Sequence, residues 1–134
     1  MTALSLLKSK DDVIYLYADC TIRQGLEKMK FHGYTALPVI TKEGIFVGCI
    51  SEGDFLWYLL DHSLKEAEET SILKIIRQSF NPAVSVNVKL NDLLRKAKEQ
   101  NFMPVVDDRH IFIGIITRRD FINYFESLYL KSHE

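Results

Sequence analysis

The segment Gly48–Asp54 has the sequence GCISEGD, and the segment Gly114–Asp120 repeats it as GIITRRD. Pro38 precedes the first segment by ten positions, and Pro104 precedes the second by ten positions. Each copy ends in a hydroxyl residue followed three positions later by an aspartate. An internal repeat of this kind predicts two related structural units with two related sites, rather than one catalytic centre.

The composition fits a globular protein without a general affinity for polyanions. The chain has 134 residues, 47% of them hydrophobic, and a formal net charge of −1. We therefore expect neither nucleic acid nor a membrane surface as a partner. The two cysteines, Cys20 and Cys49, lack a CxxC pattern and predict reduced thiols. Without a signal pattern, a long apolar run or clustered histidines, we expect a cytoplasmic protein with no metal site.

The first half predicts the order strand, helix, strand, strand, helix. Helical periodicity begins at Thr21 and ends at Gly33. Two aliphatic stretches separated by Lys42-Glu43-Gly44 predict antiparallel strands joined by a turn. The predicted elements are a strand at 13–18, a helix at 21–32, strands at 36–41 and 45–51, and a helix from 51 to about 62.

The same order is predicted from Ala83 onward, which indicates an α+β fold built from two motifs. Between the motifs, Leu64–Ser79 is charged early and apolar later, and it predicts a solvated helix followed by a docking helix with Thr70 and Ser71 at the cap. The ranges are 1–62 for the N-terminal segment and first motif, 63–80 for the connecting helical segment, and 81–134 for the second motif and C-terminal helix, all in one compact module.

The pairs Ser51-x-x-Asp54 and Thr117-x-x-Asp120 have two interpretations. Each matches a capping box, in which a hydroxyl and a carboxylate satisfy free N–H groups at a helix start. The same geometry suits a nucleotide, because the positive helix end attracts phosphate and the carboxylate can accept both hydroxyls of a ribose. The duplication behind matching Pro-Val strands favours the nucleotide interpretation.

These motifs and this order of elements resemble a pair of CBS (cystathionine β-synthase) domains, the Bateman module, over roughly residues 9–124. The resemblance implies one pseudo-twofold module that binds adenine nucleotides in clefts between its motifs. It also implies a homodimer, an unidentified effector protein, and signalling through a change of conformation or dimer packing. The nucleotide is then a regulatory ligand for energy sensing, and no catalytic cofactor is expected.

By this resemblance, one principal cleft takes residues from both halves. Asp120 is expected to hold the ribose hydroxyls, Thr117 the phosphate or ribose, and Arg118 or Arg119 the phosphates. Tyr34 either contacts the base or packs in the core. The predicted residues are Ser9, Val13, Ile14, Tyr34, Thr35 and Ala36 from the first half, with Ile115, Thr117, Arg118, Arg119 and Asp120 from the second.

The second cleft is expected to be weaker, empty or occupied by a nucleoside. Glu52 and Gly53 stand where the other copy has two arginines, and Glu52 would repel phosphates. The chain is also two residues shorter before Pro104 than before Pro38, which alters the wall beside the base. The predicted residues are Ser51, Asp54, Asn81, Pro82, Ala83, Phe102 and Met103.

The sequence leaves three functions open. AMP, ADP or ATP is favoured over cyclic di-AMP, because Asp120 suits a free ribose diol and the cyclic dinucleotide has its 3′ oxygens in phosphodiester linkage. A stand-alone CBS receptor for cyclic di-AMP remains an alternative, with similarity in Gly33–Ala36 and Thr117–Arg119. A CBS scaffold that mediates protein interaction without a ligand is another. No nucleophile with an adjacent base is evident, so we expect no enzyme activity.

Overall fold

The structure is a computed structural model that describes residues 3–132. The ends of the predicted ranges, residues 1–2 and 133–134, lie outside the described residues. Two compact units are present. Ile14–Pro82 forms the central unit, and the residues up to Val13 together with those from Ala83 onward form the terminal unit. Within the described part of the chain, no helix is long and apolar enough to cross a membrane.

Short strands alternate with helices along the chain. The strands are β1 (Lys8–Ser9), β2 (Leu16–Tyr17), β3 (Ala36–Ile40), β4 (Phe46–Ser51), β5 (Val84–Ser85), β6 (Phe102–Val106) and β7 (Phe112–Thr117). The α-helices are α1 (Ile22–His32), α2 (Glu52–Asp61), α3 (Leu64–Glu69), α4 (Leu90–Glu99) and α5 (Arg118–Ser132). Single 3-10 turns occur at Ala3–Leu6, Lys10–Asp12 and Ile72–Lys74.

The central unit has a three-stranded sheet in the order β2-β3-β4, with β2 parallel and β4 antiparallel to β3. Helix α1 begins with a capping box between Thr21 and Gln24, and it ends at Gly33, whose φ of 72° is left-handed. Glycine adopts that conformation without the steric cost that a Cβ adds. The predicted helix bounds and the antiparallel strand pair are therefore confirmed.

The terminal unit has a four-stranded sheet in the order β1-β7-β6-β5. Its elements β5-α4-β6-β7-α5 repeat the order β2-α1-β3-β4-α2 of the central unit, so the predicted internal repeat is confirmed. Strand β1 is an addition that the sequence did not predict. It pairs antiparallel with β7, with Lys8 opposite Ile115 and Ser9 opposite Gly114.

Each unit has its own apolar core, in which helices pack on one face of the sheet. In the central unit, Leu37 and Ile50 of the sheet pack with Phe55 of α2. In the terminal unit, Met103 and Ile116 pack with Phe121 of α5 and with side chains of α4. Burial of these side chains is the main favourable term in the folding of each unit. Packing of the sheets in these cores also sets the positions of the last residues of β4 and β7.

The predicted docking helix between the motifs is wrong. Helix α3 ends at Glu69, and only a 3-10 turn at Ile72–Lys74 follows, with Ser71 as its N-cap. The chain then turns at Ile75 and again at Gln78–Ser79, and Arg77 between these turns forms an isolated antiparallel bridge with Cys49 of β4. The edge strand β4 thus gives this segment a backbone partner at Arg77 without a helix.

Candidate functional sites

The first copy of the repeat is a complete capping box at the start of α2. Asp54 N donates to Ser51 Oγ at 3.3 Å, and Ser51 N donates to Asp54 Oδ2 at 2.8 Å. Ser51 Oγ also donates to Asp54 Oδ2 at 3.0 Å. The capping interpretation is thus confirmed for the pair in the central unit.

Arg77 forms an ion pair with the Asp54 carboxylate of this capping box. Arg77 Nε donates to Asp54 Oδ1 at 2.6 Å, and Nη2 donates to Asp54 Oδ2 at 3.3 Å and to Ser51 Oγ at 3.2 Å. The Asp54 side chain is only 8% exposed, whereas that of Arg77 is 50% exposed. Both carboxylate oxygens are therefore engaged within the central unit by a charge-assisted, bidentate contact.

Arg77 is a residue of this site that the sequence did not predict. It lies 23 residues after Asp54, and no helical or strand period links positions that far apart. The available signal was weak: a single cation directly after Ile75 and Ile76, in a stretch assigned to a helix. Its role follows from its pairing with Cys49 at the sheet edge, which is a tertiary contact.

The second copy, at the start of α5, is only half of a capping box. Asp120 N donates to Thr117 Oγ1 at 3.0 Å. In contrast to Asp54, the Asp120 carboxylate has neither an ion pair nor a side-chain hydrogen bond within residues 3–132. The two copies share a sequence pattern, but only the Asp120 carboxylate is available to a ligand, because the Asp54 carboxylate is already engaged.

The two arginines of the second copy, Arg118 and Arg119, differ in their contacts. Arg118 Nε donates to Ala97 O at 2.6 Å, near the carboxyl end of α4, where a cation is favoured by the helix dipole. Arg119 is exposed and has no ion pair among the described residues. An open cavity of about 370 Å³ lies beside them, lined by Asn101, Thr117, Arg118, Arg119, Ile122 and Asn123. Arg119 is therefore the cation that remains free for an anion there.

Two other predicted residues of the terminal unit, Ser9 and Ile115, lie on its sheet. Ser9 is exposed, lies opposite Gly114, and accepts a hydrogen bond from Asp11 N at 3.4 Å. Ile115 lies two positions before Thr117 on β7, and Val13 is the C-cap of the 3-10 turn that follows Ser9. The structure thus brings Ser9 and Ile115 to the same pair of strands that leads to Thr117.

The predicted residues of the central unit form one short stretch plus Ile14. Tyr34 is 50% exposed, so its alternative role in the core is wrong. Glu52 N donates to Thr35 O at 2.9 Å, and Ala36 pairs with Ser51 across β3 and β4. Ile14 is half-buried beside the core of this unit. Residues assigned from the sequence to the principal cleft therefore lie next to Ser51, which was assigned to the other cleft.

The remaining residues of the second predicted cleft divide between the units. Asn81, with a left-handed φ of 49°, and Pro82 end the central unit. Ala83 begins the second stretch of the terminal unit, and Met103 is buried in its core. Phe102 pairs with Thr117 across β6 and β7, so it neighbours a residue assigned to the principal cleft.

A larger open cavity of about 620 Å³ lies on the central unit. The face-to-face rings of Tyr58 and His62, 4.1 Å apart, form part of its wall. Trp57, which is 67% exposed, adds an indole to it. Its full lining is Asp54, Trp57, Tyr58, Asp61, His62, Glu66, Thr70, Lys74, Ile75 and Arg77. The Arg77–Asp54 ion pair is thus part of the cavity wall.

Both cysteines are free thiols, as predicted. Burial raises the pKa of Cys49 far above its usual range. Burial, and secondarily the nearby Asp19 carboxylate, also raises the pKa of Cys20. Neither thiol has the lowered pKa of a reactive nucleophile. Among the described residues, no three His, Cys, Asp or Glu side chains cluster as metal ligands.

Comparison with protein families accounts for the repeat. The model of the CBS domain matches twice, at residues 6–61 and 67–127. The chain belongs to the CBS domain family. The two matches cover both copies of the hydroxyl-carboxylate motif, so the CBS resemblance drawn from those residues is confirmed. No curated protein matches the chain significantly.

Solved structures share the CBS-pair fold. CbpB in complex with c-di-AMP superposes with a TM-score of 0.92 at 24% identity, covering 99% of this chain and 89% of that one. A CBS domain protein from Streptococcus pneumoniae TIGR4 has a TM-score of 0.87 at 27% identity, covering 94% and 87%. CBSX2 in complex with AMP has a TM-score of 0.76 at 21% identity, covering 96% and 98%.

Proposed function

We propose that this CBS protein is a regulatory module that binds an adenine nucleotide, with Thr117, Arg119 and Asp120 as its ribose and phosphate contacts. The single observation that supports this assignment most strongly is the difference between the two aspartates. Asp54 is held by Arg77, whereas Asp120 has no ion-pair partner among the described residues. An unpaired carboxylate one turn into a helix is free to accept two ribose hydroxyls.

The phosphate would lie at the start of α5. Thr117 precedes this helix, whose first N–H groups and positive dipole end favour an anion. Arg119 adds an exposed guanidinium beside the adjoining cavity, whereas Arg118 donates its Nε to Ala97 O. A charge-assisted hydrogen bond from Arg119 contributes roughly 1.5–3 kcal/mol. Residues Ile14, Tyr34, Thr35 and Ala36 belong to the central unit, and their part in binding stays a prediction from the family resemblance.

AMP, ADP and ATP are the proposed ligands because Asp120 suits a free 2′,3′-diol. Cyclic di-AMP is a second candidate, favoured by the high structural similarity to CbpB, which was solved with that ligand. The structure of CBSX2 with AMP supports the first candidate in the same way. The two ligands differ at the 3′ oxygen, which is a hydroxyl in AMP and a phosphodiester oxygen in cyclic di-AMP. Asp120 is therefore the residue that distinguishes them.

We propose a signalling role without catalysis. Both cysteine thiols have raised pKa values, and among the described residues no three His, Cys, Asp or Glu side chains form a metal-ligand cluster. A ligand with different affinity for two conformations shifts the population between them, and an effector protein then reads the change. Binding of AMP, ADP and ATP at one site would report cellular energy state.

A thermal-shift series tests the ligand. AMP, ADP, ATP and cyclic di-AMP are added to the wild type and to Asp120→Asn, and the midpoint of unfolding is recorded. A ligand at a hundredfold excess over its Kd stabilises the native state by about 2.7 kcal/mol. We expect a shift with the linear nucleotides that Asp120→Asn abolishes. A shift with cyclic di-AMP that survives the substitution supports the second candidate, and no shift with any ligand supports the scaffold.

We also propose a homodimer that uses the outer face of α5. Ile122, Phe125 and Tyr129 recur at helical spacing on this helix and are exposed. Such an apolar stripe is typical of a surface covered by a partner. Sedimentation velocity should give a dimer for the wild type and a monomer for Tyr129→Glu. Glu126→Gln, on the same helix, is the control that should stay dimeric, and a monomeric wild type contradicts the proposal.

A further inference from the structure

The Ser51–Asp54 pair is held by a residue that lies outside the repeat. Four hydrogen bonds converge on the Asp54 carboxylate: Arg77 Nε to Oδ1, and Ser51 N, Ser51 Oγ and Arg77 Nη2 to Oδ2. A ribose diol would need acceptor positions on these same two oxygens. Arg77 therefore stands where the two hydroxyls would bind.

The backbone holds Arg77 in place. Its Cα pairs with Cys49 in an antiparallel bridge, two positions before Ser51 on the same strand. Gly48 lies beside this segment, where a Cβ would be 3.3 Å from the Ile76 side chain and in ordinary van der Waals contact, at 3.5 Å, with Arg77 O. The guanidinium also lies over the Phe80 ring, with its central carbon 4.6 Å from the ring centroid. Contacts on several sides thus hold the Arg77 guanidinium against the Asp54 carboxylate.

The terminal unit has a different residue at the matching position. Lys8 pairs with Ile115, which lies two positions before Thr117, just as Cys49 lies two positions before Ser51. Lys8 is exposed and makes no ion pair with Asp120. The residue that pairs with the strand two positions before the hydroxyl residue therefore differs between the copies: it is a bidentate arginine in one and an exposed lysine in the other.

We infer that Arg77 is an internal occupant that closes the Ser51–Asp54 pair, and that its removal opens a second nucleoside site on the central unit. This inference rests on the proposed function in taking a ribose diol as the ligand chemistry. The cavity of about 620 Å³ beside the ion pair provides space, and the exposed indole of Trp57 provides a stacking surface for a base. Glu52 at the helix start disfavours a phosphate, so adenosine should bind there better than AMP.

Adenosine titration of Asp120→Asn/Arg77→Gln tests the inference, because the first substitution removes the site of the proposed function. Calorimetry gives the affinity, and fluorescence of Trp57, the single tryptophan, reports binding at the central unit. We expect adenosine to bind at least about tenfold tighter than to Asp120→Asn alone, which corresponds to about 1.4 kcal/mol. Adding Asp54→Asn should abolish this gain.

Two matched variants complete the experiment. Arg23→Gln removes an ion-pairing arginine of the same unit, which contacts Glu27 and Glu68 instead of Asp54, and it should open no site. Arg77→Lys keeps the charge but not the bidentate geometry, and it should open the pair partly if Arg77→Gln does not fold. A folded Asp120→Asn/Arg77→Gln protein without adenosine binding or a Trp57 response overturns the inference. Failure of wild-type protein to bind AMP overturns the proposed function alone.

Discussion

Ser9 lies directly opposite Gly114 in the antiparallel pairing of β1 with β7. Gly114 has a φ of 151°, and a Cβ at this position would lie 2.1 Å from Lys8 O. That distance is far below any real contact between a carbon and an oxygen atom. The pairing of β1, and with it the position of Ser9 and Lys8, therefore requires glycine at position 114.

Gly114→Ala should detach β1 from β7 and destabilise the terminal unit by about 2–3 kcal/mol. Denaturant unfolding measures the loss, and amide exchange at Ser9 reports the detached strand. Gly33→Ala is the matched control, since its φ of 72° is also left-handed but nothing lies within 4 Å of the added Cβ. It should cost only about 1 kcal/mol. Equal losses in the two variants would show that the backbone collision is unimportant.

The ion pair of Arg77 should stabilise the central unit. Arg77→Ala removes three hydrogen bonds and leaves the nearly buried Asp54 carboxylate without its counter-ion. Because Arg77 is half-exposed and solvent screens its charge, we expect a loss of about 1–2 kcal/mol. Arg23→Ala, which breaks exposed pairs only, should cost less than about 1 kcal/mol. Chemical denaturation measures the free energy of unfolding of both variants, and a larger loss for Arg23→Ala than for Arg77→Ala would contradict the prediction.

Asp107 gives the turn between β6 and β7 an acid-sensitive contribution. Its Oδ1 accepts hydrogen bonds from Ile111 N and Arg109 N, both at 2.9 Å, and these lower the pKa of the carboxyl in the folded protein. The contribution is present above the unfolded-state pKa of about 4 and is lost as the pH falls through the lower folded-state pKa. The stability difference between wild type and Asp107→Asn should therefore shrink on acidification below about pH 4. Asp108→Asn is the control, and a pH-independent difference for Asp107→Asn contradicts the assignment.

The thiols should react slowly in the native protein. Burial raises the pKa of Cys49 and Cys20, which lowers the fraction of reactive thiolate at pH 8. Cys49 is fully buried, whereas Cys20 is half-buried. A disulfide reagent should modify Cys20 slowly and Cys49 only after unfolding. Rapid modification of native Cys20→Ser protein would contradict this order.

Local signals in the sequence predicted most of the fold. The helix start at Thr21, the helix end at Gly33 and the turn at Lys42-Glu43-Gly44 were each predicted from residues within or next to the structure that they specify. Strand β1 was missed because Lys8 and Ser9 are too few to show a period. The docking helix was predicted wrongly because the apolar run at Ile72–Ile76 fits an α-helix as well as the single 3-10 turn that forms at Ile72–Lys74.

The site was predictable only as far as the repeat shows it. Ser51, Asp54, Thr117 and Asp120 follow from matching spacing, and Glu52 indicated that the copies differ. The larger difference, the engagement of Asp54 by Arg77, depends on a contact across 23 positions and has no local pattern. The separate contact of Arg118 with Ala97 O is likewise tertiary. Sequence spacing therefore identified the two carboxylates but not which one is free.

Calorimetric titration of AMP into wild type, Asp120→Asn and Asp54→Asn measures which aspartate binds the ribose. We expect one AMP per wild-type chain, a loss of at least about tenfold in affinity for Asp120→Asn, and a change of less than about twofold for Asp54→Asn. Circular dichroism of each variant confirms that it is folded. Equal losses in the two variants, or wild-type affinity in folded Asp120→Asn protein, would contradict the assignment of Asp120 as the ribose-binding carboxylate.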